Sequence, residues 1–364
     1  MSSNNEIVPE RARRLDFSVL TPTWERAEYL EGLWHSLRLQ SGCSFEWIVG
    51  NDGSTDGTAA RVESLALNSG FPVVLVNSEK HIGKARIDNL MVAAANSELC
   101  VWCDAGDTLK PMALSSLHGA WREIKSEDME NYVGVAALAE FEGGLGNAVE
   151  SHEVSWNLTL RQIEDLVASD MVLAVRTDVL RSMPFPEVDM VIPESSVWSK
   201  LGEALVGFLP VALKIVNYGQ PNAISGSGRM AYSRGRAHAM GLQRKHALRP
   251  VGAMEECREM FNFVRYCLHG EIAWADAKVL WGASVSRLFL TVVYLPALVA
   301  SWIDRARGKV DKTHREFERT RDFRFSIVRW NNDPRFNGNQ NDVYDSTSKA
   351  EDIRRRSEIQ RLSL

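Results

Sequence analysis

What this chain of 364 residues lacks narrows what it can be. Its cysteines, Cys43, Cys100, Cys103, Cys257 and Cys267, are odd in number and carry neither a disulfide framework nor a zinc-site spacing. Cys100 and Cys103 do form a C-x-x-C, but Val101 and Trp102 between them read as buried strand with no helix start after them. Packed free thiols in a reducing compartment are expected. Positive charge is not in excess: 42 Lys and Arg stand against 47 Asp and Glu, a formal net charge of −5. That removes the general electrostatic case for nucleic-acid binding and leaves any anionic ligand to a local cluster of cations. Met1 to Arg14 is polar, without the apolar core of a secretory signal. No apolar run reaches the roughly twenty residues of a spanning helix. The longest, Leu288 to Ile303, is interrupted by Pro296 and flanked by Arg287 and by Arg305, Arg307 and Lys309. Two readings fit it: a core helix pair, or an element lying on a membrane surface with its arginines toward anionic headgroups.

What is there reads as an α/β protein. Hydrophobic residues make up 45% and charged residues 24%, ordinary values for a packed globular chain. From Asp16 the chain alternates short apolar runs with helical patterns. Strands are expected at 17–20, 45–49, 73–76 and 99–103, with helices at 29–40, 58–68 and through 89–95 between them. This β-α-β order predicts a mainly parallel sheet with right-handed crossovers. The strands lack alternation, as expected when helices cover both faces. Beyond residue 110 strands are expected at 132–142, 171–175 and 213–217, a helix at 195–205, and a helical pattern from about 240. The division follows: a flexible N-terminus over 1–15, a catalytic domain over 16–235 with halves 16–115 and 116–235, a helical extension over 236–330, and a polar, disordered tail over 331–364.

Two strand ends carry the chemistry. Phe45 to Gly50 runs into Asn51-Asp52-Gly53-Ser54-Thr55-Asp56-Gly57-Thr58, and Leu99 to Cys103 ends in Asp104-Ala105-Gly106-Asp107. Carboxylates spilling from neighbouring strand ends of an open α/β sheet suit a nucleotide-phosphate and metal site. Asp104 and Asp107 are hard oxygen ligands for magnesium or manganese. Asp52 can accept from a base or ribose donor, and Asp56 suits a helix cap. Lys84 and Arg86, at a helix start, are placed to meet phosphate oxygens.

These motifs carry a resemblance. The string SVLTPTWERAEYLEGLWHSLRLQ, then FEWIVGNDGSTDGT, then GKARIDNLMVAAANSELCVWCDAGDTLKPMAL resembles the N-terminal half of the inverting family-two glycosyltransferases of GT-A fold, over roughly residues 16 to 115. The resemblance implies a GT-A sheet flanked by helices, a nucleotide-diphosphate sugar donor and a divalent metal, magnesium or manganese. It places Thr21, Pro22, Thr23 and Glu25 around the nucleotide, Asp52 on the base, Arg86 near the diphosphate and Asp104 at the ribose or metal. One departure stands out. The usual Asp-x-Asp would put a carboxylate at 106, where this chain has Gly106 followed by Asp107, similar to the Ser-Gly-Asp variant of polysaccharide transferases. Residues 169–227 more loosely resemble the acceptor side of bacterial members. There Glu194, ahead of Ser195-Ser196-Val197-Trp198, stands where the family keeps its general base, although the commoner Glu-Asp pair is Glu-Ser here. Trp198 could stack on an acceptor sugar or sit in the core.

The expected activity is inverting sugar transfer to a glycan or lipid-linked hydroxyl in cell-envelope polysaccharide synthesis. Its place is the cytoplasm, at the inner face of the plasma membrane, with peripheral membrane contact and no nucleic-acid partner. Two rivals remain open on the residues alone. A sugar-phosphate nucleotidyltransferase would usually carry a glycine-rich phosphate loop after its first strand, and Thr21 to Arg26 has no glycine. A non-catalytic carbohydrate- or nucleotide-binding protein would show a decayed metal motif, of which Gly106 is a symptom.

Overall fold

The sheet begins where the apolar runs begin. The structure, a computed structural model, describes residues 14–124, 129–142, 157–167, 170–220, 228, 230–246, 252–282, 287–331 and 343–345. Its first part is β1 (Leu15–Thr23), α1 (Leu30–Arg38), β2 (Phe45–Asp52), α2 (Thr58–Leu67), β3 (Val73–Ser78), α3 (Lys84–Ala94) and β4 (Ser97–Trp102). β1 pairs in parallel with β2 and β4, and β2 with β3. Alternate residues of these strands feed two separate cores. Val19, Trp47, Val49, Leu75 and Val101 pack with Leu33, Leu37 and Val62 on one face. Leu20, Ile48, Val76 and Cys100 pack with Ile87 and Met91 on the other. Burial on both faces is why these strands show no polar alternation.

The expected strands are right in place and short in length. β1 runs on through Pro22, two residues beyond the first pairing limit with β4 at Leu20, and Pro22 keeps Gly50 of β2 as its neighbour. A proline is tolerated where one ladder has already ended.

The second part is β5 (Thr108–Leu109), α4 (Ala113–Glu123), β6 (Tyr132–Phe141), β7 (Asn157–Thr159), α5 (Leu160–Leu166), β8 (Met171–Arg176), α6 (Thr177–Ser182), α7 (Ser195–Trp198) and β9 (Leu205–Val216). β8 lies antiparallel between β4 and β6, and β9 is parallel to β6. The sheet is therefore parallel among β1 to β4 and mixed beyond them. The helix expected over 195–205 is one turn, α7, and a 3-10 turn that ends at Leu201, because β9 already starts at Leu205.

The remainder is α8 (Ser233–Lys245), α9 (Ala253–His269), α10 (Trp274–Trp281), α11 (Arg287–Ala306), α12 (Thr313–Arg319), β10 (Phe325–Trp330) and β11 (Val343–Asp345). α8 to α11 enclose a third core around Met260, Phe263, Val264, Trp281, Val293 and Ala297. Two expectations change here. α11 passes through Pro296 as one helix, so the apolar run is not a broken pair. The extension is also not helical to its end, since β10 returns to pair antiparallel with β3 and β11 pairs with β10. The full order is β11-β10-β3-β2-β1-β4-β8-β6-β9-β5, with β7 on β9. Apart from Val343–Asp345, the tail expected to be disordered lies outside the described residues from 332 onward, as do residues 1–13 of the N-terminus.

Candidate donor and acceptor site

The end of β4 leaves a carboxylate free. The Oδ1 of Asp104 is buried and has no hydrogen-bond partner, and so is the Oγ1 of Thr23 at the end of β1. A buried carboxylate oxygen without a donor is costly unless something charged completes it. Asp107 is different. It accepts from the Asn217 amide at 3.2 Å, and the Lys214 ammonium lies 3.7 Å away. Burial pushes its carboxyl up to about 6, against the pull of Lys214. The same burial opposes the Lys214 charge, but Asp107, Cys103 and Asp104 outweigh it and hold that ammonium above its ordinary value. Gly106 between the two acids has φ +103°, and a Cβ there would meet the amide of Gln220, which the Arg26 guanidinium holds. A side chain at position 106 would therefore have to take up a left-handed φ and push the Gln220 amide aside, which favours glycine there.

The end of β2 is spent inwardly. Asp52 is buried, and its carboxylate accepts from the amides of Ile82 at 2.6 Å and Gly83 at 3.0 Å, with His81 Nδ1 at 2.9 Å. It clasps the entry of α3. His81 in turn stacks on Trp24, ring centroids 4.3 Å apart and 14° from parallel. The Thr21 hydroxyl is buried too, donating to the Cys103 carbonyl at 2.8 Å and accepting from Trp47 Nε1 at 2.9 Å. Glu25, at φ +53°, accepts from the Thr55 amide at 2.6 Å, while its own amide donates to Ser54 Oγ. Asp56 accepts from the Ala27 and Thr58 amides, which hold its carboxyl below the usual range although burial works the other way. Of the nucleotide set, Thr21, Glu25 and Asp52 therefore tie loops together, Pro22 is half-buried in β1, and Thr23 sits beside the open edge.

Lys84 and Arg86 part company within one helical turn. The Lys84 ammonium bridges Asp88 Oδ2 at 2.8 Å and Glu194 Oε1 at 2.9 Å. Burial alone would lower its pKa, but Asp88, Glu194 and Asp104 raise it well above the ordinary lysine value. Lys84 in return holds the Glu194 carboxyl below the usual range. Arg86 points elsewhere. It is 5% exposed, its guanidinium lies 3.5 Å over the Phe317 ring, and it donates to the Phe317 and Thr320 carbonyls. Placed there, on the α12 terminus, Arg86 binds backbone carbonyls and does not line the cavity that Asp104 shares with Glu194.

Asp104 and Glu194 line one cavity of about 560 Å³ together with Trp102, Trp198, Asp170 and Lys214. Trp198 meets Trp102 edge to face at 5.8 Å, so it forms the wall and packs on the core at once. Lys214, Trp102 and Asp170 were not singled out from sequence. Only the position of Trp102 at the strand end beside Asp104 hinted at it; an isolated lysine in the middle of β9 gives no local signal. Cys100 and Cys103 are free and buried, as expected, with burial pushing both thiols up.

The donor set fits a divalent ion only in part. Among the described residues no three His, Cys, Asp or Glu gather as a metal cage. Asp104, with its unpartnered oxygen, suits a cation that takes its other ligands from phosphate oxygens and water, the usual manner of magnesium in nucleotide sites. Asp107, beside it on the same turn, already faces the Lys214 ammonium and the Asn217 amide.

The model of the family described as Glycosyl transferase family 2 matches residues 18–134. Among solved structures, S. aureus TarS 1-349 in complex with UDP-GlcNAc superposes with a TM-score of 0.51 at 18% identity, over 81% of this chain and 84% of that one. A second, of S. aureus TarS, gives 0.50 at 18% identity over 81% of this chain and 50% of that one. The mannosyltransferase PcManGT from Pyrobaculum calidifontis, in complex with GDP-Man and Mn2+, gives 0.45 at 15% identity over 84% and 90%. No curated protein matches the chain. At these identities the TarS superpositions establish the fold, a mixed α/β sheet of GT-A type with a helical C-terminal region.

Proposed function

We propose that this chain, whose residues 18–134 match the model described as Glycosyl transferase family 2, transfers a sugar with inversion from a nucleotide-diphosphate donor to a hydroxyl of a glycan or lipid-linked acceptor. The observation that supports the reading is the single cavity shared by Asp104 and Glu194. The nucleotide lies over the ends of β1 and β2, beside Thr23, Glu25 and the exposed Trp24 that stacks on His81. Asp104 holds the divalent ion, whose charge offsets that of the departing diphosphate. Lys214, ionised and buried against Asp107, adds a fixed positive charge where negative charge develops. Glu194 accepts the proton of the acceptor hydroxyl. Its carboxylate is ionised at neutral pH because Lys84 holds it so, and it lies beside Trp198, which packs on Trp102 in a wall that can carry a sugar face. The reaction takes place in the cytoplasm, with the acceptor presented at the inner face of the plasma membrane.

The test is release of nucleoside diphosphate from a panel of nucleotide sugars with manganese present, for the unaltered chain, Asp104→Asn and Glu194→Gln. One donor should be turned over. Asp104→Asn should cut release by about a hundredfold or more, the scale of losing one electrostatic contact to a transition state. Glu194→Gln should bind nucleotide normally and lose transfer. Absence of release from every donor, or full turnover by Asp104→Asn, would overturn the proposal.

A further inference from the structure

Helix α11 shows water a more apolar face than the one it packs with. Toward α9 it presents Val293, Ala297, Ser301 and Asp304, all buried. Outward it presents Val292 at 63%, Leu295 at 60%, Val299 at 57% and Trp302 at 70% exposure, with Leu298 and Ile303 beside them. At 100° per residue these outward side chains cover roughly 140° of the helix. The patch continues sideways, for Trp274 of α10 meets Tyr294 of α11 at 5.2 Å between ring centroids, and Lys278 stands over the Trp274 ring. A monomer rarely leaves such a continuous apolar surface in water.

The charges around the patch decide what covers it. Between Val292 and Lys312 the exposed charged residues are Arg305, Arg307, Lys309 and Lys312, all positive. Both acids of that stretch are turned inward and used. Asp304 takes a bidentate pair from Arg265 at 2.6 Å and a contact from His269 at 3.2 Å. Asp311 accepts from the Ser233 amide at 2.6 Å and from the Thr313 hydroxyl at 2.8 Å. Arg307, Lys309 and Lys312 make no ion pair among the described residues. Among those residues no helix is long and apolar enough to cross a membrane. The same stretch of a second copy would bring the same cations and no exposed acid of its own, so residues 292–312 do not complement themselves.

We infer that α11 and the turn after it dock the protein on an anionic bilayer surface. The helix lies in the interface plane with Val292, Leu295, Val299 and Trp302 among the acyl chains, and Arg307, Lys309 and Lys312 against lipid phosphates. Trp302 and Trp274 suit the headgroup boundary, where an aromatic body and a polar N–H are both accommodated. The inference uses no residue of the cavity, so membrane docking and sugar transfer succeed or fail separately.

The test is sedimentation of the full-length protein with vesicles of phosphatidylcholine alone or mixed with phosphatidylglycerol, at low and high salt. The protein should sediment with the anionic vesicles only and be released by salt. Val299→Glu with Trp302→Glu should weaken binding by about tenfold or more. Arg307→Glu with Lys309→Glu should weaken it without changing the apolar face. All four side chains are exposed, so both double variants should keep the parent melting temperature and the parent nucleotide affinity. No sedimentation with anionic vesicles, or binding that neither double variant reduces, would overturn the inference. So would a dimer in sedimentation equilibrium that Val299→Glu with Trp302→Glu splits, in a protein that ignores vesicles.

Discussion

The ends of β2 and β4 look alike in sequence, each an apolar strand that spills into aspartates and glycines, yet they do opposite work. At β2 every oxygen of Asp52 has a partner within the chain, and those partners are the backbone amides that open α3. At β4 the Oδ1 of Asp104 is buried with none. A carboxylate saturated by amides is part of the scaffold, while one with an oxygen left without a hydrogen bond at a cavity wall keeps a lone pair free for a ligand. Acidity at a strand end therefore says little about role; the hydrogen-bond account separates the two.

The sharpest way to break that contrast is at Asp52. Asp52→Ala should remove the charged acceptor of three donors and unfasten the entry of α3. The expected loss is about 2–3 kcal/mol of stability, read as a lower urea midpoint with an unchanged slope. Nucleotide affinity of the folded fraction should fall little. Asp104→Asn should behave in reverse, with stability kept and turnover lost. If Asp52→Ala kept the parent urea midpoint and abolished nucleotide binding instead, Asp52 would be a ligand residue and the contrast would fail.

Position 106 sharpens the same contrast by a smaller amount. Gly106→Asp would write the commoner Asp-x-Asp back into the chain. The added side chain must adopt φ +103° and displace Gln220 from Arg26. The strain is on the order of 1–3 kcal/mol, so the melting temperature should drop and manganese-linked nucleotide affinity should not rise. Tighter manganese binding in Gly106→Asp would mean that the loop can repack around a second carboxylate.

How far the sequence reveals these differences depends on the range of the interactions. The four parallel strands were legible because Val19, Ile48, Val74 and Val101 sit in unbroken apolar runs that both cores require. The strand-end acids were legible as a group, but their separate fates were not. Asp107 is paired with Lys214 on β9, and Arg86 reaches carbonyls more than two hundred residues onward, 231 positions for Phe317 and 234 for Thr320. Arg86 at a helix start has the composition of a phosphate contact; only the return of α12 to that surface turns it inward. β10 was missed for a like reason. Phe325 to Trp330 is one short run among helices, and Arg329 with Glu46 at 3.4 Å and the Ala94 carbonyl at 2.6 Å seats it beside the donor half. Pro296 misled in the opposite sense, since the packing of Val293 and Ala297 on α9 outweighs one lost helix bond.

The smallest and most specific effect concerns Lys84, which joins the scaffold to the cavity. Its ammonium touches Asp88, deep under the α3 entry, and Glu194, at the cavity wall. Burial pushes the Asp88 carboxyl up to about 6, with Lys84 pulling it down, whereas for Glu194 the Lys84 charge prevails and the pKa falls. If Glu194 is the base, activity is lost on acidification as its carboxylate takes up a proton, so the acid limb of kcat/KM reports its pKa. Lys84→Met deletes the charge that favours the carboxylate. The pKa of Glu194 must then rise, and the acid limb must move toward higher pH while the alkaline limb stays. Asp88 would lose the same support and shift the same way, but it faces Trp102 Nε1 and not the cavity. Asp88→Asn serves as the control of opposite sign: it removes a negative charge coupled to Glu194 and leaves Lys84 to Glu194 alone, so the acid limb should move toward lower pH. An acid limb that Lys84→Met does not move would remove Glu194 from the chemistry and leave Lys84 as a strut between α3 and α7.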